Sequence, residues 1–329
     1  MAEGATKPIE PIAPIGLEEI RAARPRIADS VVRTPLLRLF TDAPCEIHLK
    51  LECLQPIGSF KLRGAGNAMA LAPRESLARG VYTASAGNMA QGVAWNARRL
   101  GIPCTVVVPD HAPQGKLAAI ESLGGRIVKV PVERWWQVLV EHHCPGIEGL
   151  FIHPVADRAV IAGNGTVGLE ILEDLPDADA VLVPWGGGGL SCGIASAVRA
   201  LRPATRVFGC ETETAAPLAA SLEAGRPVAV DYTPSFVDGI GARSLLPEMW
   251  PLAKGLIAGS LVSSLEEIAS ALRLLVARAR VVAEGAGATP VAAALSGRAG
   301  HGKVVCVVSG GNIDASVLAT ILRAETPRG

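Results

Sequence analysis

Short, continuously apolar runs alternate with helical patterns along the chain from about residue 80 onward. The apolar runs cover residues 81–84, 104–108, 126–130, 180–183, 206–210 and 303–308. Such runs, separated by helices, are typical of strands that are buried on both faces of a parallel sheet. The alternation therefore predicts an α/β fold with parallel sheets flanked by helices. Ligands in these folds bind beyond the carboxyl ends of the strands, so the loops after the apolar runs are the candidate sites.

The chain has 329 residues, enough for one large domain or for two domains that share a cleft. The sequence contains neither an internal repeat nor a low-complexity linker, so a domain boundary has to be a packing boundary. We place a smaller domain at residues 75–154 and a larger domain at residues 1–74 and 155–329. We expect the ligand site to lie in the cleft between them.

The charge and hydropathy of the chain argue against two classes of partner. The 31 basic and 31 acidic residues give a formal net charge of zero, which suits neither nucleic acid nor an anionic membrane. The mean hydropathy is high, at +0.34, but no apolar run reaches the roughly 18 residues that a membrane span needs. The apolar surplus instead indicates a buried sheet and an interface between copies of the chain.

The cysteines are scattered singly, and no two of them have the spacing of a CxxC motif. They are Cys45, Cys53, Cys104, Cys144, Cys192, Cys210 and Cys306. An odd number of cysteines, mostly within apolar stretches, predicts reduced thiols. Residues 1–14 do not resemble a signal peptide. We therefore expect a cytoplasmic protein.

Lys61 follows a turn at residues 55–58 (Gln-Pro-Ile-Gly) and stands at the start of a predicted helix. An ammonium group is costly to bury unless another group pairs with it or its chemistry is used. One such use is a Schiff base with the aldehyde of pyridoxal phosphate. Two distant glycine clusters suit the anionic part of such a cofactor.

Four consecutive glycines, residues 186–189, follow an apolar strand and open a helix at Leu190. Their backbone N–H groups are unhindered and can surround an anion, while the helix N-terminus adds partial positive charge. The segment therefore suits a single phosphate group. A flexible turn is the alternative, although a strand-to-helix turn rarely needs four glycines. Because no Walker lysine follows, we do not expect a nucleoside triphosphate site.

Residues 163–168 (Gly-Asn-Gly-Thr-Val-Gly) match the dinucleotide-binding pattern GxGxxG. No clear strand precedes the segment, and no acidic residue ends a second strand about 20 residues later, as that pattern requires. We therefore interpret the segment as a helix entry shaped by close backbone contact, and not as a nicotinamide or flavin site.

Two further strand ends carry polar side chains. Residues 85–88 (Ser-Ala-Gly-Asn) follow one apolar run and begin a helix, so their amides and the Asn88 side chain can bind a carboxylate or a ring oxygen. Residues 309–312 (Ser-Gly-Gly-Asn) follow another, and the Ser309 hydroxyl can exchange a hydrogen bond with a ring nitrogen. Each segment is modest alone, but one lysine and three glycine-bearing strand ends together indicate a cofactor site.

These segments, in this order, resemble those of the serine/threonine dehydratases, which are fold-type II pyridoxal-phosphate enzymes and include serine racemase. The resemblance extends from about residue 17 to residue 323. It is carried by residues 50–52 (Lys-Leu-Glu), 55, 58–61 (Gly-Ser-Phe-Lys), 63–65 (Arg-Gly-Ala), 85–88, 186–189, 284–287 (Glu-Gly-Ala-Gly) and 309–312. It implies a two-domain α/β enzyme with the cofactor in the cleft between the domains.

The resemblance also implies a role for each matched residue. Lys61 holds the cofactor as a Schiff base and later acts as the base at the substrate Cα. Phe60 packs near the cofactor ring, Asn88 binds its 3-hydroxyl and Ser309 faces its pyridine nitrogen. The other implied cofactor ligands are Gly186, Gly187, Gly188, Gly189 and Leu190, whose amides hold the phosphate, and Glu284. The implied substrate-binding residues are Ser85, Ala86, Gly87, Met89 and Val155.

The implied reaction is a β-elimination. A serine does not force protonation of the pyridine nitrogen, so the ring is a weaker electron sink and loss of a β-substituent is favoured. The expected activity is an ammonia-lyase (dehydratase) that converts a 3-hydroxy L-amino acid to a 2-oxo acid and ammonia. The alternatives are a racemase or a β-replacement enzyme on the same scaffold, and a non-catalytic protein that binds the cofactor.

Three positions depart from the family pattern. Met89 stands where the family usually has histidine, and Val155 stands where serine racemase has asparagine. The candidate substrates are threonine, serine or a bulkier apolar or aryl-serine analogue, and by our hypothesis the less polar pocket favours one that is bulkier or more apolar than serine. Ala86 stands where racemases carry the serine that reprotonates Cα. We therefore expect racemisation to be slow and favour the lyase.

Relatives that bind a divalent cation use a glutamate, a backbone carbonyl and an aspartate, which correspond here to Glu211, Ala215 and Pro217. Proline supplies no carboxylate, so we predict no metal ion, although Glu213 lies nearby. The sequence ends at residue 329 without the regulatory domain of longer biosynthetic relatives, which suggests a catabolic role. We expect a small amino-acid substrate as the partner, and a homodimer or homotetramer.

Overall fold

The computed structural model describes residues 10–327. Its strands are β1 (Leu36–Leu39), β2 (Glu46–Lys50), β3 (Val81–Ala84), β4 (Cys104–Pro109), β5 (Gly125–Val130), β6 (Leu150–Phe151), β7 (Ala180–Pro184), β8 (Arg206–Thr212), β9 (Gly259–Ser263) and β10 (Lys303–Val307). Its α-helices are α1 (Leu17–Ile27), α2 (Lys61–Leu71), α3 (Arg74–Ala78), α4 (Asn88–Leu100), α5 (Gln114–Ser122), α6 (Val132–Glu141), α7 (Arg158–Asp174), α8 (Gly189–Leu201), α9 (Pro217–Ala224), α10 (Trp250–Leu256), α11 (Leu265–Leu274), α12 (Gly285–Leu295) and α13 (Ala315–Leu322).

The larger sheet has six strands in the order β1-β2-β10-β7-β8-β9. The strands from β2 to β9 are parallel, and β7 is buried at every residue, which explains why its sequence is continuously apolar. The edge strand β1 differs, since it pairs with β2 in antiparallel register, with Leu37 opposite Leu49. The α/β class with helix-flanked parallel sheets is confirmed. The antiparallel edge precedes residue 80, where the alternating pattern begins.

The smaller sheet has four strands in the order β5-β4-β3-β6, and all of its pairings are parallel. Its strands lie between Val81 and Phe151, inside the range that we predicted for a smaller domain. A separate apolar core, centred on Val93, Val106 and Ile120, packs beneath this sheet. The division of the chain at residues 75–154 stays a prediction.

The long helix α7 corrects our interpretation of the GxGxxG segment. We expected a helix entry at residues 163–168, but α7 begins earlier, where Asp157 caps it by accepting hydrogen bonds from two backbone N–H groups. The glycines lie in the helix interior. A Cβ on Gly163 would lie 2.5 Å from the Arg63 backbone oxygen, and one on Gly168 would lie 3.0 Å from the Ile194 oxygen. The glycines therefore allow α2 and α8 to approach α7 closely.

A buried ionic cluster fixes α2 against β2 and α7. The Arg63 guanidinium donates to Glu52 at 2.8 Å and to Glu170 at 2.7 Å, and Lys50 donates to Glu170 at 2.5 Å. Thr34 completes the cluster by donating to Glu52. These side chains are almost fully buried, so removing one partner would leave another charge without compensation. Arg63 lies two residues after Lys61 in α2, so the cluster also fixes the helix that carries Lys61.

All seven cysteines lie in the described part of the chain and are unpaired, as predicted. Burial raises the pKa of the Cys104 thiol to about 12, so this group is a packing residue and not a nucleophile. Among residues 10–327, no helix combines the length and the apolar character that crossing a bilayer requires.

Candidate active site

A cavity of about 340 Å³ opens where the carboxyl ends of strands from both sheets meet. The loops after β3, β4, β7 and β10 all contribute to it, as the general rule for parallel sheets predicts. Every site residue named from the sequence lines this cavity. These residues are Phe60, Lys61, Ser85, Ala86, Gly87, Asn88, Met89, Val155, Gly186, Gly187, Gly188, Gly189, Leu190, Glu284 and Ser309.

Lys61 is the first residue of α2, and its amine points into the cavity region. The Lys61 Nζ donates a hydrogen bond to the Pro154 backbone oxygen at 2.8 Å and lies 5.2 Å from the centroid of the Phe60 ring. Burial lowers the pKa of Lys61 to about 8, while the negative charge of Glu284 opposes that shift. A larger fraction of this amine is uncharged at neutral pH than for an ordinary lysine, which makes it a better nucleophile.

Asn88 and Glu284 form a polar pair on the cavity wall. The Asn88 Nδ2 donates to both carboxylate oxygens of Glu284, at 2.9 Å and 3.0 Å. The Asn88 Oδ1 accepts from Asn312 Nδ2 at 2.8 Å, which fixes the amide with its N–H groups towards Glu284. Burial raises the pKa of Glu284 to about 7. The pair therefore places an oriented amide beside a carboxyl group whose pKa lies near neutral pH on one wall of the cavity.

The glycine loop at residues 186–189 requires glycine at positions 187 and 188, where a side chain has no room. A Cβ on Gly187 would lie 2.5 Å from a Val155 methyl group, and one on Gly188 would lie 2.5 Å from the Trp185 ring. Gly188 also has a φ of 93°, which favours glycine. The first N–H groups of α8 have no partner inside the helix, so they can donate to a phosphate. The loop, Lys61 and Ser309 together fit pyridoxal phosphate.

The turn at residues 153–156 joins the two walls of the cavity, and we did not predict it. The His153 Nδ1 accepts hydrogen bonds from the N–H groups of Val155 and Ala156, and its Nε2 donates to the Leu139 oxygen. Burial lowers the pKa of His153 to about 3, so the ring is neutral. The turn presents the Pro154 oxygen to Lys61 and packs Val155 against the glycine loop.

The cavity lining contains further residues that sequence reasoning missed. They are Pro109, His111, Ala112, Pro113, Lys116, Trp135, Pro154, Asp238, Gly239, Ile240 and Ala286, with Pro184 at the end of β7. The loop after β4 could have been predicted as part of the site, because it follows a predicted strand as the other site loops do. Trp135 could not be predicted in this way, because it lies on the helix α6. Asp238 could not be predicted either, because it lies in a segment without periodicity.

The two glutamates near the family's cation position are occupied within the fold. Glu211 accepts from the N–H groups of Leu218 and Ala219, both at 2.8 Å, and from the Ser260 hydroxyl. Burial raises its pKa. Glu213 accepts from the N–H group of Leu265 at 2.9 Å. Glu211 thus caps the N-terminus of α9, which begins at Pro217.

Comparisons with known sequences give the same family. The profile described as pyridoxal-phosphate dependent enzyme matches residues 27–310. An L-threonine ammonia-lyase of Thermotoga maritima is 42% identical over 315 residues, covering 94% of this chain and 78% of that protein. A catabolic L-threonine dehydratase of Staphylococcus aureus is 34% identical over 330 residues, covering 96% of this chain and 95% of that protein.

Solved structures agree with the sequence relatives. Maize serine racemase superposes with a TM-score of 0.86 at 32% identity, covering 95% of this chain and 98% of that chain. The T.th. threonine deaminase superposes with a TM-score of 0.80 at 37% identity, covering 91% of this chain and 99% of that chain. The chain therefore belongs to the pyridoxal-phosphate dependent enzymes, within the fold-type II serine/threonine dehydratase group, and pyridoxal phosphate is its cofactor.

Proposed function

We propose that the protein is an ammonia-lyase that converts a 3-hydroxy L-amino acid to a 2-oxo acid and ammonia by β-elimination. The observation that carries this proposal is the Lys61 amine, whose pKa is lowered to about 8, in a cavity that also contains the glycine loop and Ser309. The relatives named L-threonine ammonia-lyase and L-threonine dehydratase support the same reaction class.

Each wall of the cavity has its own part in the reaction. The N–H groups of residues 186–190 would hold the phosphate, Asn88 would donate to the ring oxygen, and the uncharged Ser309 hydroxyl would lie at the ring nitrogen, since all of these residues line the cavity. Residues 85–89 receive the substrate carboxylate, and Glu284 lies beside Asn88. Pyridoxal phosphate, when bound, withdraws electrons from the substrate Cα. The Lys61 amine takes the proton from that carbon as the β-hydroxyl leaves.

A direct test uses the purified protein. The wild type should show an absorption band near the visible edge and should release equal amounts of 2-oxo acid and ammonia from threonine or serine. Lys61→Ala should lose both the band and the activity, because the imine and the base depend on the same amine. The wild type could instead show the band, lost in Lys61→Ala, but no lyase activity on any 3-hydroxy amino acid. That outcome would indicate a protein that only binds the cofactor.

Within this class we propose a substrate that is bulkier or more apolar than serine. Met89 and Val155 replace polar family residues in the cavity wall, and Trp135 adds a large aromatic surface. Threonine, serine and an aryl-serine should be compared by kcat/KM. The highest value on serine would contradict this choice of substrate without affecting the reaction class.

Racemisation is the second candidate, because solved neighbours include proteins named serine racemase and aspartate racemase. Ala86 argues against it here, because a methyl side chain cannot supply a proton to Cα. Incubation with L-serine, followed by chiral analysis of the remaining amino acid, separates the two. Accumulation of D-serine faster than 2-oxo acid would favour the racemase, and retention of the amino group after addition of a thiol would favour β-replacement.

We also propose that the protein is a homodimer or homotetramer in the cytoplasm. Large apolar side chains are exposed near the edge strand β1, among them Val32, Leu37, Phe40 and Leu54. Exposed apolar surface of this kind favours association. Light scattering should give a multiple of the chain mass, and Phe40→Glu should shift it towards the monomer. A wild-type monomer at micromolar concentration would contradict the proposal.

A further inference from the structure

Two charged side chains at the mouth of the cavity have no part in the function proposed above. Lys116 lies in the first turn of α5, and Asp238 lies in the irregular segment between α9 and α10. Both residues line the cavity, and the Lys116 Nζ donates to the Asp238 carboxylate. The two side chains are 37% and 49% exposed, so the ion pair lies at the boundary between the cavity and solvent.

The partners come from opposite sides of the cavity. The helix α5 packs beside the smaller sheet, whereas Val237 and Ile240, on either side of Asp238, are buried in the core of the larger sheet. A Cβ on Gly239 would lie 3.0 Å from Ala286 and 3.2 Å from Glu284 Oε1, and one on Gly186 would lie 3.5 Å from the Gly239 oxygen. The main chain at Gly239 is therefore packed against Ala286 and Glu284, which places Asp238 on that side of the cavity. Lys116 reaches Asp238 across the mouth of the cavity.

The remaining ionisable side chains of the cavity already have partners. The Glu284 carboxylate accepts from Asn88, the Lys61 amine donates to the Pro154 oxygen, and His111 lies 3.2 Å from Asp110 at an exposed position. The other lining residues are uncharged, among them Ala86, Met89, Ala112, Pro113, Trp135 and Val155. Within residues 10–327, Lys116–Asp238 is the ion pair that joins two residues of the cavity lining, and it lies at the mouth, where a substrate side chain enters.

We propose that the Lys116–Asp238 ion pair is a specificity gate, which admits uncharged 3-hydroxy amino acids and rejects 3-hydroxy dicarboxylates. With the pair intact, an entering side-chain carboxylate meets the negative charge of Asp238 and finds Lys116 already bonded. If Asp238 is made neutral, Lys116 becomes an unpaired cation at the same place and can bind that carboxylate. The reaction named here rests on the proposed ammonia-lyase function, whereas the selection is a property of binding.

The test compares the holoenzymes of wild type, Asp238→Asn, Lys116→Gln and the double variant on threonine and 3-hydroxyaspartate. Asp238→Asn should raise the kcat/KM for 3-hydroxyaspartate relative to threonine about tenfold, mainly through a lower KM. Lys116→Gln and the double variant should not show this gain. The matched control is Asp177→Asn, which breaks an ion pair with Lys303 of 2.5 Å outside the cavity and should leave the ratio unchanged.

A second measurement does not depend on lyase activity. L-Aspartate and L-2-aminobutyrate lack the β-hydroxyl, and their binding can be followed by the change in cofactor absorption. Asp238→Asn should strengthen aspartate binding relative to 2-aminobutyrate about tenfold. An unchanged binding ratio in Asp238→Asn would overturn the gate. A wild type that releases no 2-oxo acid from any 3-hydroxy amino acid would refute the proposed function, while the binding ratio would still decide the role of the pair.

Discussion

The two walls of the cavity are built by different means. The wall from the larger sheet contains a stretch of main chain in which residues 187–189 and Gly310 leave little room for side chains. The wall from the smaller sheet is made of side chains, such as Met89, Lys116 and Trp135. Main-chain N–H groups can bind the phosphate of the cofactor, which is the same whatever the substrate. Side chains that contact the substrate can change without disturbing the fold. The comparison teaches that cofactor binding and substrate choice are separable here.

Breaking the support of the main-chain wall should have the largest effect. Arg63→Leu removes the centre of the buried ionic cluster, which leaves Glu52 without an ionic partner and Glu170 with Lys50 alone. The free energy of unfolding should fall by about 3–5 kcal/mol, as measured by denaturant titration of the apoprotein. Arg21→Leu is the control, since it breaks an exposed pair with Glu18 and should cost less than about 1 kcal/mol. Equal effects of the two changes would contradict the structural role of the cluster.

A substitution in the glycine loop should affect the cofactor more than the fold. Gly188→Ala places a Cβ against the Trp185 ring at a φ of 93°, and the left-handed conformation alone costs about 1–2 kcal/mol. The dissociation constant for pyridoxal phosphate should rise at least about tenfold, as measured by absorption. Gly255→Ala, where no atom lies within 4 Å of the added Cβ, should leave it unchanged. Wild-type affinity in Gly188→Ala would mean that the loop does not hold the phosphate.

The pH dependence of cofactor attachment tests the lowered pKa of Lys61 and the effect of Glu284 on it. With a Lys61 pKa of about 8, the uncharged amine increases about tenfold between pH 7 and pH 9, and the rate of attachment to the apoprotein should rise with it. Glu284→Gln should shift the midpoint to lower pH, because the charge of Glu284 raises the pKa of Lys61. Stopped-flow absorbance would measure both profiles. A midpoint near the usual lysine value of about 10.4 would contradict the shift.

The smallest effect is expected on the side-chain wall. Trp135→Leu should change the ratio of kcat/KM for an aryl-serine over threonine by a few-fold up to about tenfold, because it alters one apolar surface of the pocket. The affinity for pyridoxal phosphate should stay within about twofold. Trp135→Phe retains an aromatic ring and should have the smaller effect. A large loss of cofactor in Trp135→Leu would show that the two walls are not separable.

The contrast between the walls also explains what could be read from the sequence. The glycine runs and Lys61 could be recognised in the sequence. A site built from main-chain N–H groups needs residues without side chains, and a buried amine is costly unless its chemistry is used. Trp135 and Asp238 leave none, since an aromatic residue on α6 and an acid in an irregular segment have many ordinary uses. Only the packing of the two sheets brings these residues to the cavity.

Two features of the fold could not be predicted from the sequence patterns: the role of the glycines at residues 163–168 and the antiparallel pairing of β1 with β2. Residues 163–168 match a loop signature, but their glycines serve helix contact, which a one-dimensional pattern cannot distinguish from a turn. The antiparallel pairing of β1 with β2 depends on a chain reversal between Leu39 and Glu46, outside the alternating region. Long-range contact, and not local preference, decides both.

The indole of Trp185 lies directly beneath the glycine loop and is almost fully enclosed. A bound chromophore that absorbs where tryptophan emits would therefore quench this fluorophore at short range. Emission from Trp185 should fall as the cofactor is loaded and return when it is released. The protein thus contains a built-in optical reporter, and Trp185→Phe would show how much of the signal comes from this one ring.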